Sequence, residues 1–132
     1  MVCLDTSVLV AILRKDKLAL QKLEEQSELD TSDISTTTIN LCELYAGAYR
    51  SRDVQKELDR VTDLKNILRV LELNEGASRR YGELANSQVI RKNPIGDFDL
   101  IISSIAMEFD ESLATRNKEH FARVPGLRLE TW

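Results

Sequence analysis

Five short runs, Val2-Cys3-Leu4, Ile34-Ser35-Thr36-Thr37, Ile67-Leu68-Arg69-Val70-Leu71, Ser112-Leu113-Ala114-Thr115 and Leu127-Arg128-Leu129-Glu130, punctuate a chain whose other segments repeat apolar residues at helical spacing. Runs of three to five apolar or β-branched residues are too short for helices and suit buried strands. Strands alternating with helical segments imply βαβ units, because parallel neighbours need a crossover and a helix supplies it. The expected fold class is therefore α/β: a short, mainly parallel central sheet of about five strands with helices on both faces. A chain of 132 residues without internal repeat, low-complexity tract or linker suits a single domain, residues 1–132.

The helical segments predicted between the strands start near residue 6 and cover about 18–29, 38–49, 53–66, 75–92 and 98–109. Thr6 or Ser7 is the expected N-cap of the first. In residues 38–49 the inward side is expected to carry Ile39, Cys42, Tyr45, Ala46 and Tyr49, with Glu43 beside that stripe. Residues 53–66 turn Val54, Leu58, Val61 and Leu64 inward, and residues 75–92 turn Ala77, Tyr81, Leu84, Ala85 and Val89 inward. Residues 30–33 form a polar turn. The most apolar helix follows Pro94 and Gly96, which halt the preceding segment. Ile101, Ile102, Ile105, Ala106 and Phe109 leave it little polar surface, so it lies against the sheet with its N-terminus at the rim. Asp97 is its expected N-cap, and Asp99 sits in the first turn, where the helix dipole favours a carboxylate.

Composition narrows the function classes. No segment is long or apolar enough to span a membrane, the first residues form no signal peptide, and a cytoplasmic location is expected. Cys3 and Cys42 sit in apolar surroundings and read as reduced core residues. His120 is the only histidine, which argues against a zinc site. A formal charge of −4 argues against coating nucleic acid by net charge alone but leaves room for an enzyme with an acidic centre and a basic rim.

In a parallel sheet, ligands bind where strands end and the next helices begin. Asp5 follows the first strand, Asn117 and Glu119 follow the fourth, Asp97 and Asp99 open the most apolar helix, and Glu43 reaches the same rim from its helix's first turns. Two carboxylates ~4 Å apart repel by roughly 4 kcal/mol at an effective dielectric of 20. With no Lys or His among these residues, the natural compensation is a hard divalent cation held through oxygen, Mg2+ or Mn2+. Such a cation lowers the pKa of a bound water and steadies charge on a phosphoryl oxygen. Each acid also has a plainer reading: Asp5 as a cap, Glu43 as a surface residue, Asp99 as a dipole-favoured acid.

Four blocks in order, Leu4-Asp5-Thr6-Ser7-Val8-Leu9, Glu43-Leu44-Tyr45-Ala46-Gly47, Ile95-Gly96-Asp97-Phe98-Asp99-Leu100-Ile101-Ile102 and Thr115-Arg116-Asn117-Lys118-Glu119-His120-Phe121, resemble PIN domains. The closing stretch, Val124-Pro125-Gly126-Leu127 through Trp132, is similar to the VapC-type toxins among them. The resemblance implies a Mg2+-dependent endoribonuclease in which Mn2+ substitutes, acting on RNA to leave a 5′-phosphate, usually a homodimer, and inhibited by a VapB-type antitoxin. It places Asp5, Glu43 and Asp99 at the family's principal acidic positions as metal ligands, with Asn117 at the fourth catalytic position, where many members have Asp. Thr6, Ser7, Asp97, Thr115 and Glu119 are then supporting residues. Arg14, Arg50, Arg116 and Lys118 lie at element ends near the cleft, as do Lys15 and Arg52, and are candidates for RNA phosphates. His120 reads as a packing or surface residue. A second reading is a catalytically silent PIN-like module that binds RNA or a partner. A third, a phosphorylated receiver domain, is disfavoured because Asp5 has no adjacent second acid and no lysine motif follows the last strands.

Overall fold

The computed structural model describes residues 1–30 and 33–132; Thr31 and Ser32, within the turn expected over 30–33, lie outside the described residues. The strands are β1 (Val2–Leu4), β2 (Ile34–Thr37), β3 (Arg69–Leu71), β4 (Ser112–Ala114) and β5 (Leu129–Glu130). They form one sheet in the order β3-β2-β1-β4-β5 with every pairing parallel. The helices are α1 (Thr6–Leu13), α2 (Lys17–Leu29), α3 (Thr38–Tyr49), α4 (Val54–Asn66), α5 (Glu75–Ala85), α6 (Gln88–Lys92), α7 (Asp97–Glu108) and α8 (Lys118–Phe121).

Side chains alternate across β1 and define the two layers. Val2 and Leu4 enter a core with Leu9, Ile12, Leu44, Val61 and Trp132, under α1 to α4. Cys3 faces the other way, with Leu113, Ile102, Ile105 and Phe121, under α7 and α8. Both faces of the sheet are covered, which is why its strands read as continuous apolar runs rather than as alternation. The tight α1–α2 and α7–β4 joints are both made by a left-handed residue, Lys15 (φ 61°) and Asp110 (φ 54°). In each joint the next N–H reaches back into the helix, Asp16 to the Ala11 carbonyl and Glu111 to the Ala106 carbonyl, as a Schellman turn requires.

Local chemistry corrects several expectations. Residues 75–92 make two helices, because the Ser87 hydroxyl accepts the Ile90 N–H and starts a new one. That break exposes Val89 and buries Ile90. In α3 the buried side is Asn40, Leu44 and Ala48, whereas Cys42 and Tyr49 are exposed, so Cys42 is not a core cysteine. The N-cap of α1 is Asp5, ahead of Thr6 and Ser7, and Gly96 takes the N-cap of α7, leaving Asp97 as the first helical residue with no capping bond.

Candidate active site

The chain leaves β1 toward β2 on one side and later returns to β4 on the other, so the strand order reverses at β1/β4, and a crevice opens beyond the strand ends there. The register sets Leu4 opposite Ala114, and the Asp5 N–H donates to the Ala114 carbonyl at 2.9 Å. Asp5 and Thr115 therefore emerge side by side. Asp5 is 4% exposed and accepts three hydrogen bonds. The Thr115 hydroxyl (2.9 Å) and the Ser7 hydroxyl (3.0 Å) donate to Oδ2, and Asn40 Nδ2 (3.3 Å) donates to Oδ1. Ser7 belongs to the first turn of α1 and Asn40 to that of α3, so three elements meet on this carboxylate.

Glu43 stands one turn after Asn40, on the same side of α3. It is half-buried and accepts a 2.7 Å hydrogen bond from the Thr6 hydroxyl. Burial pushes its carboxyl above the ordinary glutamate range; the Thr6 bond opposes that shift, and the negative charges of Asp5 and Asp99 add to it. The three principal acids thus share one field. Asp99 lies in the first turn of α7, partly exposed, with His120 Nδ1 3.3 Å from its Oδ2. Among the described residues no arginine or lysine forms an ion pair with Asp5, Glu43 or Asp99.

The other expected residues divide. Arg14 and Arg50 line a cleft of about 570 Å³ bordered by α1, α3 and α4, which opens beside Thr6 and Glu43. Arg116, Asn117, Lys118, Glu119 and His120 line a second depression of about 360 Å³ after β4, and the Asn117 N–H donates to the Thr115 hydroxyl oxygen. The Arg116 guanidinium there already has partners: it donates to the Trp132 carbonyl and pairs with Asp16, whose carboxyl it holds below the ordinary aspartate range. Asp97 faces the Tyr81 hydroxyl at 3.4 Å, away from the other acids' bonds. Asn40 went unrecognised in the sequence, as did the contact with Asp99 of His120, read there as a packing or surface residue. Asn40 carries a signal that could have found it, a polar residue one turn before Glu43 at the Thr-x-x-Asn spacing of a cap. His120 carries none, because its contact with Asp99 joins α8 to α7.

Residues 2–127 match the PIN domain family. The chain belongs to that family. The "tRNA(fMet)-specific endonuclease VapC" of Salmonella typhimurium is 27% identical over 129 residues, covering 98% of this chain and 96% of the relative. "Ribonuclease VapC1" of Haemophilus influenzae is 26% identical over 130 residues with the same coverage. Among solved structures, VapBC2 of Rickettsia felis bound to a promoter DNA fragment superposes with a TM-score of 0.91 at 26% identity, covering 100% of this chain and 99% of that one. DNA-bound VapBC of Salmonella typhimurium gives 0.89 at 27% identity, covering 99% and 97%.

PIN-domain nucleases of the VapC kind are metal-dependent as a group, and the donor chemistry of this PIN domain suits that. The three acids and the hydroxyls beside them offer only oxygen, the preference of hard divalent cations. Among the described residues, no three His, Cys, Asp or Glu side chains gather closely enough to form a ready-made cage. Among the described residues no helix is long and apolar enough to cross a membrane.

Proposed function

We infer that this PIN domain is an endoribonuclease of the VapC toxin type, hydrolysing RNA phosphodiester bonds with Mg2+ and restrained by a VapB-type antitoxin. One observation carries the reading: Asp5, Glu43 and Asp99 share a field at the switch point, and among the described residues no arginine or lysine forms an ion pair with any of them. In this reading Asp5, Glu43 and Asp99 hold the ion, and Asn117 offers a neutral oxygen beside them. A divalent cation there supplies a Lewis acid for the phosphoryl oxygens and a lowered pKa for water. Thr6, Ser7 and Thr115 fix the carboxylates so that no reorganisation is needed as charge develops. Arg14, Arg50 and Lys118 draw the phosphates of the strand into the cleft. Water oxygen bonds to phosphorus as the bond to the 3′-oxygen breaks, leaving a 5′-phosphate and a 3′-hydroxyl.

The VapBC complexes among its structural relatives support the antitoxin partner, and a cytoplasmic setting and a homodimer belong to the proposal. The test is a cleavage assay on structured RNAs, tRNA(fMet) among them, with and without Mg2+. The wild type is expected to cut only with the ion, and the folded Asp5→Asn protein not at all. Metal-independent cutting, or full cutting by Asp5→Asn, would defeat the reading. Titration calorimetry with Mn2+ separates it from a catalytically silent module, which would bind no ion.

A further inference from the structure

Asn40 is completely buried at the centre of the site's polar network, and its orientation can be deduced rather than assumed. The Thr37 backbone N–H can only donate, and it lies 3.3 Å from one end of the Asn40 amide. That end is therefore Oδ1, which also accepts the Thr37 hydroxyl at 2.7 Å. The opposite end is then Nδ2, a donor, and it faces two oxygens: Asp5 Oδ1 at 3.3 Å and Thr6 Oγ1 at 3.0 Å. With its oxygen lone pair occupied by Asn40, Thr6 directs its proton to Glu43 at 2.7 Å. The same logic orients the other donors. Ser7 Oγ accepts the Arg116 N–H and Thr115 Oγ1 accepts the Asn117 N–H, so both hydroxyl protons are free for Asp5. The Ser7 and Thr115 hydroxyls also lie 3.4 Å apart, where either could donate, and among the described residues it is the Asn40 amide that links both acids, Asp5 directly and Glu43 through Thr6.

We propose that Asn40 is a positioning residue that sets the separation and orientation of the Asp5 and Glu43 carboxylates, and through them the affinity of the site for a divalent cation. This rests on the reading of the site as a metal-dependent nuclease. Asn40 touches neither substrate nor reacting atoms. It aims the two carboxylates from behind, and its own amide is held by the Thr37 backbone N–H, a contact that no change of the Thr37 side chain removes. An amide is suited to the task because it accepts from the backbone with one end and donates to carboxylates with the other without adding charge.

The experiment compares Asn40→Leu, near in volume but without polar atoms, with Thr37→Val, which removes the capping hydroxyl and leaves the Asn40 donor. Asn40→Leu is expected to weaken Mn2+ binding, measured by calorimetry without RNA, by about tenfold or more. It is also expected to lower kcat for RNA cleavage by about thirtyfold, with KM changed less than about threefold. Thr37→Val is expected to lower the melting temperature while keeping Mn2+ affinity within about threefold of wild type. Equal losses of Mn2+ affinity in both variants would reduce Asn40 to a helix cap and overturn the proposal. So would wild-type Mn2+ affinity in folded Asn40→Leu. Should Asn40→Leu not fold, the Asn40 side-chain NH2 resonances of the wild type decide the matter. They should exchange slowly with solvent and shift in the Asp5→Asn protein, and rapid exchange or no shift would overturn the proposal. These resonances need neither metal nor RNA. A wild type that neither binds Mn2+ nor cuts RNA would therefore sink the nuclease reading separately from the Asn40–Asp5 contact.

Discussion

The two edges of the sheet both bury acids, and they handle the charge in opposite ways. At the edge where the strands begin, Glu111 has no exposed side-chain surface; it accepts hydrogen bonds from the Ser35 hydroxyl and pairs with the Arg69 guanidinium. The protein supplies the countercharge, as a buried carboxylate needs. Cys3 lies nearby, and burial, together with the Glu111 charge, pushes its thiol pKa up, so it stays an inert neutral group. At the edge where the strands end, Asp5 accepts from neutral donors, and Glu43 feels Asp5 and Asp99, with no arginine or lysine paired to any of the three among the described residues. A structural acid is completed within the fold. The acids of the other edge are stabilised in position but left electrostatically incomplete, the condition of a site that takes its countercharge from outside.

The largest effect should come from the incomplete edge. Asp99→Asn is expected to fold and to lose Mg2+-dependent RNA cleavage by about a thousandfold, roughly 4 kcal/mol of transition-state stabilisation. Undiminished cleavage by the folded variant would remove Asp99 from the machinery and dissolve the contrast. At the complete edge, Arg69→Ala takes away the guanidinium that pairs with buried Glu111. It should cost about 2 kcal/mol of stability in denaturant titration, less than a fully buried pair because Arg69 is itself half-exposed. Cleavage per folded molecule should not change. Replacing both partners together, Arg69→Met with Glu111→Leu, should recover most of that loss.

Glu43→Gln probes the same contrast with the opposite sign. The Glu43 carboxyl holds its proton more tightly in the folded chain than in the unfolded one. Folding then favours the protonated form, so in EDTA stability should fall as pH rises from the ordinary glutamate range through the raised value. Glu43→Gln should flatten that fall and raise the melting temperature in EDTA at pH 7, while lowering Mn2+ affinity. A pH profile identical to wild type would show that Glu43 carries no strain. The smallest effects belong to the cleft arginines. Arg14→Ala and Arg50→Ala should each weaken RNA binding and reduce the slope of log K against log[salt] by about 0.7. Arg116→Ala should leave that slope alone, because its guanidinium already ties Asp16 to the Trp132 carbonyl.

The strand order along the chain and the α/β class were legible because each rests on local pattern. Val2-Cys3-Leu4 is continuously apolar because both sheet faces are covered, and Asp5 follows it at a strand end. The inward side of α3 was not legible. Ile39, Leu41, Cys42, Leu44, Tyr45, Ala46, Ala48 and Tyr49 leave apolar residues on nearly every side, so periodicity admits more than one phase. The structure selects Asn40, Leu44 and Ala48, because that phase lets Asn40 answer Asp5 and Thr6 while Leu44 and Ala48 pack under α1 and α4. The break before α6 was missed for a different reason. Ser87 is a weak breaker by sequence, and its capping bond to Ile90 decides only once the helix has somewhere else to go.

The sequence by itself determined the alternation of strands and helices and the placing of acids just beyond strand ends, since both follow from side-chain period and from the few residue types that cap a helix. Tertiary structure alone decided which charges are answered. Arg69 finds Glu111 across 42 residues, Arg116 finds Asp16 across 100, and Asn40 finds Asp5 across 35. Such partners are chosen by the sheet order and its register, which bring distant residues to the same edge, and no local spacing encodes that meeting.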